Sequence, residues 1–137
     1  MSLNRWELKV CGMTQRDNIQ AVLEAKPDWM GLIFWPESKR YCTLTATAWQ
    51  TIDLAQTKSV GVFVDQPIDE VAQIAQTYKL NSLQLHGNES PEYLITLKSI
   101  LPKATVIKAF SVDQDFNWKI LMPYQACCDL FLFDTKG

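Results

Sequence analysis

The segment Lys9-Val10-Cys11-Gly12-Met13-Thr14 joins a predicted strand to a predicted helix and gives the clearest indication of the fold. An apolar strand, predicted over residues 6–10, runs into a cysteine and a glycine. Thr14 with Asp17 three residues later forms a capping-box pattern, which predicts that a helix starts there. Cys11 is therefore expected at the carboxyl end of a strand, in the loop before a helix. In parallel α/β folds, and above all in barrels, that edge carries the chemistry.

A cysteine at this edge has two interpretations. A thiol can act as a base or a nucleophile once it is ionised, but an ordinary thiol with a pKa of about 8.5 is only slightly ionised at neutral pH. A neighbouring group or a helix amino end must then assist Cys11. Alternatively, Cys11 is a buried cysteine that packs as a small hydrophobic residue. The segment alone does not decide between the two.

The rest of the chain alternates strand and helix patterns. Further strands are predicted at residues 29–34, 59–64, 82–85, 105–110 and 129–133, and helices at 46–55, 67–78 and 90–101. Residues 113–124 are weakly patterned, consistent with a short helix broken by Pro123. The strands are uniformly apolar and no hairpin signal separates them. This rhythm predicts a parallel sheet covered by helices, in one domain spanning residues 1–137.

Alternation along the predicted strands brings polar residues to one edge. Lys9 and Cys11 share a face of the first strand, and Gln84 and His86 share a face of the fourth. Asp134 ends the sixth. Cys11, His86 and Asp134 should therefore gather at one rim, where a thiol facing a carboxylate would form a base–acid pair. The alternatives are that Asp134 is a loop or cap residue and His86 a satisfied structural histidine.

Composition excludes several classes of function. The chain has 137 residues, a formal net charge of −2 and no basic run, which argues against nucleic-acid or membrane-surface binding. No signal-peptide core or membrane span is present. The four cysteines lack metal-ligand spacing, so no metal is expected. With no pattern typical of export, we expect a reducing, cytoplasmic location.

Six segments, in order, resemble those of the phosphoribosylanthranilate isomerases of tryptophan biosynthesis. The resemblance covers essentially the whole chain. The segments are Lys9-Val10-Cys11-Gly12-Met13-Thr14, Gly31-Leu32-Ile33-Phe34, Ser38-Lys39-Arg40-Tyr41, Val60-Gly61-Val62-Phe63-Val64, Leu83-Gln84-Leu85-His86-Gly87-Asn88-Glu89 and Leu132-Phe133-Asp134-Thr135.

This resemblance implies a (β/α)8 barrel that performs a cofactor-free Amadori rearrangement of a phosphorylated sugar–anthranilate substrate. It implies Cys11 as general base and Asp134 as general acid, the latter where desolvation or a nearby charge favours its protonated form. Arg40 would bind the anthranilate carboxylate through its guanidinium, the alternative being a solvated loop arginine. His86 would line the substrate pocket or hydrogen-bond the rim. Lys9 would support the site with a carboxylate or water as its partner.

Two positions depart from the family pattern. Lys39 stands where the family usually has proline, which would loosen the loop without moving the arginine beside it. Asp65 stands where asparagine is common, and we expect it to cap a helix. Cys42, Cys127 and Cys128 are expected to be packing residues.

The chain holds only six of the eight βα units of such a barrel, and the incomplete barrel lacks the last two. In the family those units carry the phosphate site. Three explanations are open: the sequence belongs to a longer chain, it is truncated, or it is a natural fragment that assembles with another component; we favour the first two. The alternative function is a catalytically inactive barrel fragment with a structural or assembly role. Indole-glycerol-phosphate synthase, a sibling barrel, fits less well because its acid–base groups differ. Either a monomer or a homodimer is compatible with the sequence.

Overall fold

The computed structural model describes residues 6–135, in which strands alternate with helices along the chain. The six strands are β1 (Lys9–Cys11), β2 (Trp29–Ile33), β3 (Lys58–Phe63), β4 (Ser82–Leu85), β5 (Thr105–Val112) and β6 (Leu130–Thr135). The helices are α1 (Arg16–Leu23), α2 (Ala46–Gln50), α3 (Ile68–Thr77) and α4 (Pro91–Ile100). A 3-10 helix, Trp118–Tyr124, lies between β5 and β6. No helix among these residues is long and apolar enough to cross a membrane.

All six strands belong to one parallel sheet, in the order β1-β2-β3-β4-β5-β6. Each neighbour in space is also the neighbour in sequence, as expected when every crossover passes through a helix on the same side. The predicted parallel α/β architecture is confirmed. The strands form part of a barrel, with β1 and β6 at the two edges.

The hydrophobic core lies between the outer face of the sheet and the helices. The strands contribute alternate residues to it, among them Leu83 and Leu85, which are fully buried and point toward the helices as predicted. The helices cover these with apolar side chains at helical spacing: Ile19, Trp49, Val71, Leu94 and Leu97. The opposite, inner face of the sheet is also largely apolar, with Val60, Val62 and Ile107 buried there, but it carries polar side chains as well, among them Lys9 and Gln84.

The sheet is curved so that its inner face is concave. The Lys9 ammonium on β1 donates a hydrogen bond to the Gln84 amide oxygen on β4. In a flat sheet, strands three positions apart would be separated by about 14 Å. Because side chains stand roughly perpendicular to a flat sheet, Lys9 and Gln84 could not meet across that distance. The contact therefore requires the strong coiling that, continued, closes a barrel.

Strand β1 is shorter than predicted and begins three residues later. Leu8 leaves the ladder because its backbone N–H donates to the Asp28 carboxylate at 2.8 Å, while its carbonyl accepts from the Asp28 and Trp29 amides. Trp6 is 93% exposed and lies outside the strand. The strand instead includes Cys11, which pairs with Gly31.

The predicted capping box at the first helix is wrong. The N-cap of α1 is Gln15, which makes no side-chain cap hydrogen bond, so Thr14 lies one residue before the cap. Ser90 does cap the fourth helix as predicted: its hydroxyl accepts from the Tyr93 amide at 3.1 Å, and Pro91 follows. The two outcomes differ because a cap depends on the backbone path of the preceding loop as well as on sequence.

Two other helix predictions need correction. Helix α2 ends at Gln50 and not at residue 55, because the Thr51 hydroxyl and the Asp53 carboxylate make local backbone hydrogen bonds that compete with the helix. Pro123 does not break its helix, since the 3-10 helix runs through it to Tyr124.

Candidate active site

Cys11 lies at the carboxyl end of β1, directly beside Gly31 of β2. A Cβ atom added to Gly31 would lie 2.7 Å from the Cys11 Sγ, so the thiol occupies the space that a side chain there would fill. Cys11 is partly buried. The thiol is thus partly exposed at the rim, the position that the sequence predicted, and it is in close contact with the neighbouring strand.

Arg40 reaches the same rim from the loop that follows β2. Its Nη1 donates to the Cys11 carbonyl oxygen at 3.3 Å. The side chain passes over Gly12, whose φ of +83° and missing Cβ leave room for it. The Arg40 backbone amide donates to the Ser38 hydroxyl at 3.1 Å, which fixes the turn. The arginine and the thiol are therefore neighbours, although 29 positions separate them.

A line of polar side chains crosses the inner face from β1 to β6. Lys9 donates to Gln84, and the Gln84 amide nitrogen lies 2.9 Å from His86 Nδ1. His86 Nε2 in turn lies 3.5 Å from the Asp134 carboxylate. The structure brings His86 and Asp134 together, as predicted. Lys9 was expected to have a carboxylate or water as its partner, and the protein group that it contacts is instead the carboxamide of Gln84.

Lys9 also interacts electrostatically with Cys11, which lies two residues along the same face. Burial lowers the pKa of the Lys9 ammonium below its ordinary value, and the neighbouring cysteine acts in the opposite direction. Lys9 thus connects the thiol end of the rim with the polar line.

Asp134 lies within β6 and its side chain is 56% exposed. The desolvated setting expected around it is not found among residues 6–135. Within the described residues β6 pairs with β5 only, so no strand covers the other side of Asp134. No hydrogen bond or ion pair within the described part of the chain joins Cys11 to Asp134, so the two are linked only through Lys9, Gln84 and His86.

The sequence analysis missed a buried ion pair behind this rim. Lys108, on the outer face of β5, lies 3.5 Å from Glu89, and both side chains are almost fully buried. The signal was available, because a lysine stands in the apolar run Val106-Ile107-Lys108-Ala109-Phe110. A charge in such a strand needs a buried partner.

The pair is the centre of a hydrogen-bond network that ties the loops after β3 and β4 together. Lys108 Nζ donates to the Gly87 and Ala109 carbonyl oxygens at 2.8 and 2.9 Å. Glu89 accepts from the Asp65 and Gly87 amides, each at 2.9 Å. Burial lowers the pKa of Lys108, while Glu89 acts to raise it.

Asp65 does not cap a helix, contrary to expectation. Its carboxylate accepts from the Asn88 backbone amide at 2.6 Å, and the N-cap of α3 is Pro67. Asp65 has a positive φ of 52°, a conformation that aspartate tolerates better than most residues. It therefore joins the loop after β3 to the loop after β4.

The remaining cysteines pack as predicted. Cys42 and Cys127 are buried and Cys128 is packed against the core. Burial raises the pKa of all three thiols, that of Cys128 to about 11. These thiols are suited to packing and not to base catalysis at neutral pH.

A cavity of about 820 Å³ lies at the opposite, amino-terminal ends of the strands. Trp29, Pro27 and Lys58 contribute to its walls, and none of the rim residues does. A search for the site by cavity shape alone would therefore select the amino-terminal end of the sheet and miss the rim residues that can take part in acid–base chemistry. The rim residues form an open surface site at the carboxyl ends.

The fold defines a class: parallel α/β proteins whose six strands form a half-barrel, here with polar side chains gathered at the carboxyl ends of the strands. A model of the family described as N-(5'phosphoribosyl)anthranilate (PRA) isomerase matches residues 8–137. The chain belongs to this family.

Two relatives named N-(5'-phosphoribosyl)anthranilate isomerase illustrate the similarity. The protein from Parabacteroides distasonis is 41% identical over 131 residues, which is 94% of this chain and 58% of the relative. The one from Phocaeicola vulgatus is 39% identical, covering 93% and 60% respectively. The chain thus spans about three fifths of the length of these relatives.

Solved structures agree with the fold. Phosphoribosyl anthranilate isomerase from Thermotoga maritima superposes with a TM-score of 0.83 at 28% identity, covering 97% of this chain and 63% of that one. A further structure of this isomerase, with a TM-score of 0.71 and 25% identity, covers 97% of this chain and 77% of that one. It contains reduced 1-(o-carboxyphenylamino)-1-deoxyribulose 5-phosphate.

Proposed function

We propose that this chain carries the acid–base half of an N-(5'-phosphoribosyl)anthranilate isomerase, an enzyme of tryptophan biosynthesis. The reaction is an Amadori rearrangement that converts an aminoaldose phosphate into the corresponding aminoketose phosphate. It needs a general acid, a general base and a group that recognises the anthranilate carboxylate. Support comes from family membership and from the thiol, carboxylate and guanidinium at one rim.

Asp134 is proposed as the general acid. It donates a proton to the furanose ring oxygen while the bond between that oxygen and C1' breaks. The anthranilate nitrogen supplies the electron pair that forms the C=N bond. The product of this step is an open-chain Schiff base, protonated on nitrogen, with a free hydroxyl at C4'.

Cys11 is proposed as the general base. Its thiolate removes the proton from C2', and the electrons of that C–H bond form a C1'–C2' double bond as the C=N bond becomes a C–N single bond. The resulting enolamine tautomerises to the ketone, with the 2'-hydroxyl proton lost and a proton gained at C1'. No oxidant or reductant is consumed. The Lys9 side chain, two residues along the same face of β1, interacts electrostatically with this base.

Arg40 and His86 are proposed as substrate-binding residues. A guanidinium binds a carboxylate through two parallel hydrogen bonds, a geometry that lysine does not offer. The position of Arg40 against the Cys11 carbonyl, at 3.3 Å, carries this proposal, because it puts the anthranilate end of the substrate next to the base. His86 lies between the buried Gln84 and Asp134 and would face the sugar.

We further propose that the half-barrel is part of a single (β/α)8 domain. The rest of such a barrel would supply the phosphate site that family members build after their last strands. Phosphate binding would provide the remote binding energy that positions the sugar. The full enzyme activity is therefore a property of the whole barrel and not of the rim alone.

The test is the loss of phosphoribosylanthranilate fluorescence in the complete protein. Cys11→Ser and Asp134→Asn should each reduce kcat by at least about 100-fold, because each removes one proton-transfer group. Cys128→Ala and Asp115→Asn, which alter the same residue types away from the rim, should retain turnover. A complete, folded protein without turnover would favour the inactive barrel fragment with a structural or assembly role.

A further inference from the structure

The polar line from Lys9 to Asp134 has a fixed direction. Lysine has hydrogen-bond donors only, so the Gln84 atom that faces Lys9 must be the amide oxygen. The Gln84 amide nitrogen then faces His86 Nδ1, at 2.9 Å. Gln84 is only 3% exposed, so water does not compete for either end of the amide.

This direction determines where the histidine proton lies. An amide nitrogen only donates, so His86 Nδ1 must accept with its lone pair. In a neutral imidazole the single N–H is then on Nε2, the atom that lies 3.5 Å from the Asp134 carboxylate oxygen Oδ2. The charge of Lys9 on β1 therefore fixes a proton position between β4 and β6.

We propose that Lys9 and Gln84 are positioning residues that lock His86 as its Nε2–H tautomer, which puts the N–H on the ring nitrogen next to Asp134. The catalytic consequence rests on the proposed function, in which Asp134 is the acid. With the N–H on Nε2, the ring atom 3.5 Å from Oδ2, a donor faces that oxygen when the two side chains approach, and the acidic proton of the carboxyl group is then favoured on Oδ1. The proton is thereby presented to the substrate and not to the protein.

The test is a long-range ¹H–¹⁵N correlation spectrum of the imidazole at neutral pH. His86 is the one histidine of the 137 residues, so its two ring nitrogens give the only such signals. We expect Nδ1 at the shift of an unprotonated nitrogen and Nε2 at that of a protonated one. A neutral ring protonated mainly on Nδ1 would overturn the proposal.

The substitution Gln84→Glu should move the His86 ring proton from Nε2 to Nδ1. The carboxylate accepts from Lys9 and can only accept from His86, so we expect Nδ1 to become protonated. Gln73→Glu, on the exposed face of α3, is the matched control and should leave the ring shifts unchanged. An Nδ1 that stays unprotonated in folded Gln84→Glu would contradict the lock.

Lys9→Met provides an independent variant in case Gln84→Glu does not fold. Without the ammonium the amide can rotate, so both tautomers should exchange and the Nδ1 shift should move toward the protonated value. Ring shifts identical to those of the unmodified protein would overturn the role of Lys9. Because these spectra do not depend on turnover, the lock can fail or hold independently of the isomerase proposal.

Kinetics then test the catalytic consequence. If the complete protein is active, Gln84→Glu should lower kcat roughly tenfold with little change in KM, since the acid is misdirected while the substrate contacts remain. A switched tautomer with an unchanged kcat would refute the positioning role and leave only a structural one.

Discussion

At Gly12 and Gly31 the absence of a side chain allows two functional groups to lie where they do. A Cβ on Gly12 would meet the Arg40 Cδ at 2.8 Å, and one on Gly31 would meet the Cys11 Sγ at 2.7 Å. The missing side chain of Gly12 leaves room for the Arg40 side chain, and that of Gly31 leaves room for the Cys11 thiol. Substitution at each position should therefore affect a different kinetic parameter.

Gly12→Ala and Gly31→Ala form a matched pair. In Gly12→Ala the arginine is displaced, so KM should rise about tenfold, the equivalent of one lost charge-assisted hydrogen bond. The positive φ adds about 1–2 kcal/mol of destabilisation. In Gly31→Ala the thiol must rotate away, so kcat should fall roughly tenfold with KM little changed. Steady-state kinetics and urea unfolding separate the two; identical effects on both parameters would argue against this assignment.

The four thiols should differ in reactivity. Burial raises the pKa of the Cys128 thiol to about 11 and also raises the pKa values of Cys42 and Cys127. At pH 8 iodoacetamide should therefore alkylate Cys11 first, as measured by peptide mass spectrometry. Because the pKa of Cys128 rises on folding, its contribution to stability is complete below pH 9 and is lost as the pH rises through about 11. Alkylation of Cys128 as fast as Cys11 at pH 8 would contradict this order.

At the scale of elements, the buried Lys108–Glu89 pair connects strand β5 to the loops after β3 and β4. The Tyr124 hydroxyl of the 3-10 helix adds a hydrogen bond to the Glu89 carbonyl at 2.6 Å. The pair therefore joins several elements behind the rim. A second lysine–carboxylate pair, Lys98–Asp129 at 2.9 Å, joins α4 to the start of β6 but is exposed to solvent.

Removing the two lysines should have unequal effects. Lys108→Met leaves Glu89 buried without its cation, so the free energy of unfolding should fall by about 3–5 kcal/mol. Lys98→Met removes a surface pair, which contributes about 0–1 kcal/mol. Urea titration followed by tryptophan fluorescence measures both. Equal losses would mean that burial does not govern the contribution of these pairs.

The β6 edge of the sheet exposes large apolar side chains. On β6, Leu130 is 46% and Phe133 48% exposed, and Trp118 of the 3-10 helix is 58% exposed and packs against Phe133 with ring centroids 5.6 Å apart. An edge strand with apolar side chains is a template for pairing with other chains. The 137-residue chain by itself should therefore self-associate.

A charge on the edge strand should reduce this association. Leu130→Lys introduces a lysine on β6, whereas Ile100→Lys introduces one at an exposed apolar position (44%) on α4, away from the edge. Sedimentation velocity over a range of concentrations should show less association for the first variant than for the second. Equal behaviour would indicate that association does not use the edge of the sheet.

The order of strands and helices, the parallel sheet, and the residues at the carboxyl ends of the strands could all be predicted from the sequence. These features follow from local sequence patterns. Leu83 and Leu85 alternate with Gln84 along a strand, and Ser90-Pro91 is a helix-start signal that the structure uses at α4. Cys11 and Asp134 were placed at the rim by the same alternation.

Which of these side chains are in contact depends on the tertiary structure and could not be predicted from the sequence. The contact between Lys9 and Gln84 depends on the curvature of the sheet, and the contact between Lys108 and Glu89 depends on how two loops fold over β5. The exposure of Asp134 depends on the place of β6 at an edge. The physical reason is that periodicity tells which face a residue occupies. The partner of a buried charge is set by non-local packing, which no short stretch of sequence contains.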